Sequence, residues 1–257
     1  HLHVVVRVLV GNGRDLDQFT PWLGYANGSA FPAGPGDAPL GETGIGDVFR
    51  VVTEDGKPAI FISGKVWGAI HTRQDLRDYH LSLWYKFGRQ LNPQVPINSG
   101  VLYHSYGAHG AFAGTWKSAV EFEIASGITG LVVTIGSNMT AETEIAKGPG
   151  RGVFGGDDLR YMAGGKRAEI HLPTMVKPNR YAELPPGQWN KLDLYVVGDQ
   201  AVHVVNDVPA VAVSRIAVKG SDGVVRPLTH GPVQLQSEGT EMFIRDIWYE
   251  PIGNVPE

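Results

Sequence analysis

The chain contains no cysteine in 257 residues, which excludes disulfides, thiolate metal sites and a cysteine nucleophile together. It lacks any apolar run approaching the roughly 18 to 20 residues that a membrane-spanning helix needs. It also lacks an excess of positive charge. Lys and Arg total 22 against 26 Asp and Glu, for a net charge of -4, and the cations are scattered rather than striped, so nothing favours nucleic acid. Neither H-E-x-x-H nor G-x-S-x-G occurs, which leaves zinc-peptidase and serine-esterase readings without support. The glycine-rich stretches around Gly148 and Gly155 have no strand–turn–helix context for a phosphate or dinucleotide loop. Helical periodicity is scarce as well, since no long stretch keeps a 3.6-residue apolar period free of Gly or Pro.

What is present is punctuation. The 34 Gly and 17 Pro recur along the chain instead of collecting in one linker, the pattern of many short strands joined by turns. Strands are expected over 4–10, 48–53, 59–63, 79–87, 100–106, 119–124, 131–135, 167–172, 191–197, 201–205, 233–236 and 241–249. The glycine-rich regions 25–46 and 137–165 read as long loops, a length that marks function or mobility in a compact domain. Together these predict one all-β domain over 1–257, two packed antiparallel sheets in a jelly-roll sandwich.

Two patterns carry chemistry. In Gly231-Pro-Val-Gln-Leu-Gln-Ser-Glu238, Val233 and Leu235 alternate with Gln234, Gln236 and Glu238, so one face enters a core while the other shows amides and an acid suited to sugar hydroxyls. In Ala119-Val-Glu-Phe-Glu-Ile124, Glu121 and Glu123 leave the same face at spacing two, opposite Val120, Phe122 and Ile124. Carboxylates with Cβ atoms roughly 6.5 to 7 Å apart perturb one another, one holding a proton while the other stays ionised. Both acids are expected to point into a sugar-sized hollow shared with Gln236 and His104. His104 is able to donate or accept a proton near neutrality, His71 is a second candidate, and His80 and His203 read as structural. Trp67 and Trp116, beside glycines and loops, offer flat faces for a pyranose ring. Asp157-Asp158 is a weak candidate for Ca²⁺.

Several blocks taken in order resemble the 3-keto-disaccharide hydrolase domain family. They are Val8-Leu9-Val10-Gly11-Asn12-Gly13-Arg14-Asp15-Leu16, Gly64-Lys65-Val66-Trp67-Gly68 with His71-Thr72 and Tyr79-His80-Leu81, and Asn98-Ser99-Gly100-Val101-Leu102-Tyr103-His104 with Trp116 and Glu121 to Ile124. Gly187-Gln188-Trp189-Asn190, His203-Val204-Val205-Asn206 and the C-terminal signature follow. Glu123 stands where relatives usually carry Gln, and Ser126 and Leu131 stand where acids are expected. The resemblance implies a concanavalin A-like lectin/glucanase sandwich acting on an oligosaccharide or glycoside, with no nucleic acid and no membrane span. It implies cleavage of a glycoside oxidised at C3 by removal of the C2 proton, elimination and hydration. Glu121, Glu123 and His104 are then the catalytic candidates, and Trp67, His71, Ser99, Trp116, Gln234, Gln236 and Glu238 the substrate-binding ones. A metal is not required by these residues. Two further readings stand beside this one: a retaining β-glycosidase using the Glu121/Glu123 pair, and a carbohydrate-binding module without chemistry. A bacterial periplasmic or secreted protein, its leader already removed, is the expected setting.

Overall fold

The computed structural model describes residues 7–28, 32, 34–146 and 158–257. Among them are nineteen strands and no helix. In chain order they are β1 (Val8–Leu9), β2 (Phe19–Leu23), β3 (Phe49–Glu54), β4 (Lys57–Ile62), β5 (Gly68–Thr72), β6 (Tyr79–Gln90) and β7 (Asn98–Tyr106). Next come β8 (Ser118–Ala125), β9 (Val132–Ile135), β10 (Met139–Ile145), β11 (Asp158–Arg160), β12 (Lys166–Ile170) and β13 (Met175–Lys177). The last six are β14 (Asn190–Val197), β15 (Gln200–Val205), β16 (Val208–Lys219), β17 (Val225–Pro227), β18 (Gln234–Ser237) and β19 (Thr240–Pro251).

The strands form two sheets. The larger runs β12-β10-β16-β15-β14-β6-β19-β4-β3, with β1 on β19 and β17 on β16, and the smaller runs β11-β13-β9-β8-β7-β18-β5-β2. All pairs are antiparallel except β11 with β13, a departure from the purely antiparallel expectation. Turn chemistry explains the tight hairpins. Between β3 and β4, Asp55 and Gly56 both take positive φ, 48° and 79°, the two-residue geometry that matches the right-handed twist of the strands. Asn206 and Asp207 do the same between β15 and β16.

Alternation places the core between the sheets. Val120, Phe122 and Ile124 of β8 and Val101 and Tyr103 of β7 pack in one cluster with Leu81 and Leu83 of β6 and Leu192 and Leu194 of β14. Glu183, in the segment before β14, ties the layers together at one side. Its carboxylate accepts hydrogen bonds from Tyr85 OH of the larger sheet (2.5 Å), from the Thr129 hydroxyl and from the Gly127 amide of the smaller one (2.9 Å). The two C-terminal strands divide between the sheets. β18 lies inside the smaller, between β7 and β5, and β19 inside the larger, between β6 and β4.

Region 137–165, expected to be a long loop, holds β10 and β11. The inward residues of β10 are Met139, Ala141 and Thr143, and its outward ones carry Thr140, Glu142 and Glu144. The alternation is real but too weakly apolar to stand out. The twelve-residue β16 escaped for a similar reason, with Pro209 at its start and small residues along it.

Candidate active site on the outer face of the smaller sheet

Four neighbouring strands, β8, β7, β18 and β5, set out the candidate site. Their register puts Glu121 opposite Leu102, Glu123 opposite Gly100, Gln234 beside both Leu102 and His71, and Gln236 beside Ala69. Val120, Phe122, Val101, Leu235 and Ile70 face the main core, so strand alternation turns Glu121, Glu123, Gly100, Gln234, Gln236 and His71 to the other face. A Cβ at Gly100 would fall 2.6 Å from Glu121 Oε1 and 2.8 Å from Gln236 Oε1. The missing side chain is what lets this carboxyl and amide close over the strand.

The acids are covered, not open to a hollow as the sequence suggested. Glu121 and Glu123 are 5% and 3% exposed. A small apolar group that includes Trp116, Leu131, Trp67, Phe112, Leu172 and Met175 packs on this side of the sheet. Trp67 and Trp116 stack with ring centroids 6.0 Å apart, and Trp116 Nε1 donates to the Gly68 carbonyl at 2.9 Å.

Burial shifts these carboxyls toward their neutral form, Glu123 only to about 7. Glu121 is raised well above the ordinary range by desolvation, with repulsion from Glu123 and Glu238 adding to it. Glu123 is raised by desolvation against an opposing hydrogen bond from Asn98. Glu238 is raised by desolvation and then by Glu123; as a residue it is half-buried, yet its Oε2 is enclosed. Four buried oxygens here have no partner: Glu123 Oε2, Glu238 Oε2, Gln236 Oε1 and Asn98 Oδ1. Buried acceptors without donors are costly in a finished fold, and a ligand rich in hydroxyl donors would satisfy them.

His71 occupies the other end of the same face. It is 2% exposed, and its Nδ1–H donates to the Thr20 carbonyl at 3.0 Å. That bond fixes the neutral tautomer, because a carbonyl only accepts. The second nitrogen, Nε2, is then a buried lone pair that no donor meets within hydrogen-bond geometry, with the Gln234 side chain close enough to act on the ring. Desolvation lowers the pKa to about 4, with nearby His109 and Lys117 acting in the same direction. Imidazole rings of His71 and His109 meet edge to face at 4.6 Å, and His109 in turn stacks on Trp22 at 5.3 Å. His71 and His109 line a hollow of about 270 Å³ together with Thr20, Thr72, Arg73, Lys117 and Pro232.

Three candidates fall elsewhere. His104 has φ of 53° at a register shift between Tyr103 and Tyr106. This bulge turns its ring inward beside Tyr103, where Nε2 donates to the Gly198 carbonyl of the larger sheet at 2.8 Å, so it does not join the acids. Ser99 sits opposite Ile124 on the core-facing side, and its hydroxyl donates to the Gln236 carbonyl at 2.9 Å. Gln234 stays on the outer face but braces the preceding loop. Its amide donates to Ser105 Oγ (2.9 Å) and the Lys117 carbonyl (3.2 Å) and accepts from the Lys117 amide (3.2 Å).

Of the remaining histidines, His203 is bonded by Tyr103 OH and the Gly130 carbonyl, and His80 by Asp193 and Glu250. The Asp157-Asp158 pair lies outside the described side chains. Among the described residues, no group of three or more His, Asp or Glu is placed to hold a metal. Sequence reasoning missed His109, Lys117 and Asn98. The signal for His109 was its setting, Gly107-Ala-His-Gly110, a glycine-flanked histidine in a loop between strands.

Comparison with solved structures agrees with this architecture. A candidate glycosyl hydrolase from Parabacteroides distasonis ATCC 8503 superposes with a TM-score of 0.54 at 14% identity, over 96% of this chain and 94% of that one. A second from the same organism gives 0.45 at 15% identity, over 79% and 90%. An alginate lyase gives 0.44 at 12% identity, over 91% and 90%. At 14% identity the first of these shows a shared fold and nothing more. No curated protein matches the sequence significantly. The 3-keto-alpha-glucoside-1,2-lyase-like domain, however, matches residues 6–250, nearly the whole chain, and the protein therefore belongs to that carbohydrate-active family.

Proposed function

We propose that the protein cleaves the glycosidic bond of a sugar already oxidised to a ketone at C3. The observation that carries this reading is the bare, buried Nε2 of His71 at a hollow, on the same sheet face as a set of acceptor atoms that lack donors. A ketone at C3 acidifies the C2–H bond, and His71, kept neutral by burial, is a base ready at neutral pH. Proton transfer to Nε2 leaves an enolate. Its electrons form the C1–C2 double bond as the C1–O bond breaks, and the departing oxygen takes a proton from water or from the new imidazolium. Water then adds across the double bond to release the 3-keto sugar. Glu121 and Glu238, held protonated by burial, serve this scheme as hydroxyl ligands that offer both an O–H donor and acceptor lone pairs, while Glu123, raised to about 7, divides between its two forms near neutrality.

The base expected from sequence, Glu121 or His104, is replaced here by His71. Glu121 is held protonated, and the His104 ring faces the interior. A retaining glycosidase needs one ionised carboxylate as nucleophile, a role open here to Glu123, and the cover that leaves this group 3% exposed weighs against it. The test is to incubate the purified protein with an aryl glucoside and with its 3-oxidised form. Release from the oxidised sugar alone supports the proposal; release from the plain sugar supports the glycosidase; retention on a glycan column without either supports a binding module.

A further inference from the structure

The hollow at His71 has a charge that removal of a C2 proton does not require. Arg73 and Lys117 line it, and no acid does. Among the described residues, neither cation forms an ion pair with a carboxylate. Arg73 is exposed, with its Nε donating to the Asp17 carbonyl at 2.8 Å. Lys117 is half-buried, and its charge is felt by both imidazoles. The carboxylate that acts on this end of the face is Glu42, an exposed residue outside the lining whose charge reaches His109. Two cations without a carboxylate partner thus line the hollow beside a buried imidazole nitrogen, and an anionic group bound there would meet charge-assisted donors.

We propose that the hollow selects glycosides bearing a carboxylate next to the reacting sugar, with Lys117 and Arg73 as the recognising cations. The inference rests on the reading of His71 as the base, since that places the reacting ring. The carboxylate comes from an acidic aglycone or from a uronic acid, which share this chemistry.

Calorimetric titration separates these sources with three probes: 4-carboxyphenyl glucoside, its neutral methyl ester and phenyl glucuronide. The expected result is that one or both acids bind roughly tenfold tighter than the ester at low salt, and that Lys117→Met brings their affinity down to that of the ester. Tighter binding of the first acid identifies an acidic aglycone, and of the glucuronide a uronic acid. Lys117 bonds Gln234 through its backbone, so this variant keeps the brace and should fold; an unchanged melting curve confirms that. Equal affinities for acids and ester, or a preference that survives both Lys117→Met and Arg73→Met, overturn the inference. Turnover is read separately on the 3-oxidised ester. Its cleavage without any acid preference sinks the carboxylate and keeps the enzyme, whereas acid preference without cleavage of any oxidised probe keeps the anion site and sinks the enzyme.

Discussion

His71 and Glu121 are both neutral at pH 7 for the same reason, removal from water, and they respond to pH in opposite directions. His71 has its pKa lowered to about 4 by burial, so it remains a base well below the usual histidine range near 6.5. The acid limb of kcat/KM on a 3-oxidised glucoside is therefore expected near pH 4. His71→Gln should lower the rate at least about a hundredfold across the whole range. Initial rates from pH 3.5 to 8, with intrinsic fluorescence confirming that the protein stays folded, decide this; a limb near 6.5 would assign the base elsewhere. Folding is a separate matter. The unfolded His71, His104 and His203 take up protons near pH 6.5 while the folded ones resist until about 4. Their contribution to stability is thus complete above 6.5 and lost as the pH falls through that window.

Glu121 runs the other way. Its folded pKa is raised by burial and by its acidic neighbours, so its stabilising contribution is present below the unfolded pKa near 4.5 and fades as the pH rises toward the folded value. Glu121→Gln cannot ionise and escapes that loss. Thermal melts should show the variant gaining on the wild type at pH 8 to 9, with the difference shrinking toward pH 4. A gain that is equal at both ends would mean that the carboxyl is ionised in the fold.

At the scale of single strands, Gly100 is the hinge between sheet and site. An added methyl meets the ends of two flexible side chains, Glu121 Oε1 and Gln236 Oε1, rather than backbone, so the fold can yield at a cost of about 1 to 2 kcal/mol. The site cannot, because both groups must swing away. Gly100→Ala is expected to melt only a few degrees lower yet to lose at least tenfold in turnover; full activity would place substrate away from this pair. The spacing of Glu121 and Glu123 on β8, and of Gln234 and Gln236 on β18, was legible in the sequence because a strand's two-residue period assigns faces directly. His104 broke that rule, since a positive-φ bulge reverses the face without leaving a mark in the residue pattern. Neither the cover over the acids nor the meeting of His71 with His109 could be read, since both depend on how the 107–117 loop lies across the sheet.

The sandwich as a whole was legible from turn residues and alternation, and it depends on few cross-layer polar ties. Glu183 is one. Replacing it with Ala leaves the buried Tyr85 hydroxyl without its acceptor and frees the Gly127–Thr129 turn, so Glu183→Ala should cost about 1 to 3 kcal/mol, measured by urea denaturation with an unchanged m-value. An unchanged midpoint would show that water replaces the carboxylate at both sheets. The C-terminal segment matters more, because its strands β18 and β19 enter the interiors of different layers. Until the chain extends past Val233, each sheet lacks an inner strand. The two layers therefore gain continuity together, from one short segment laid across both.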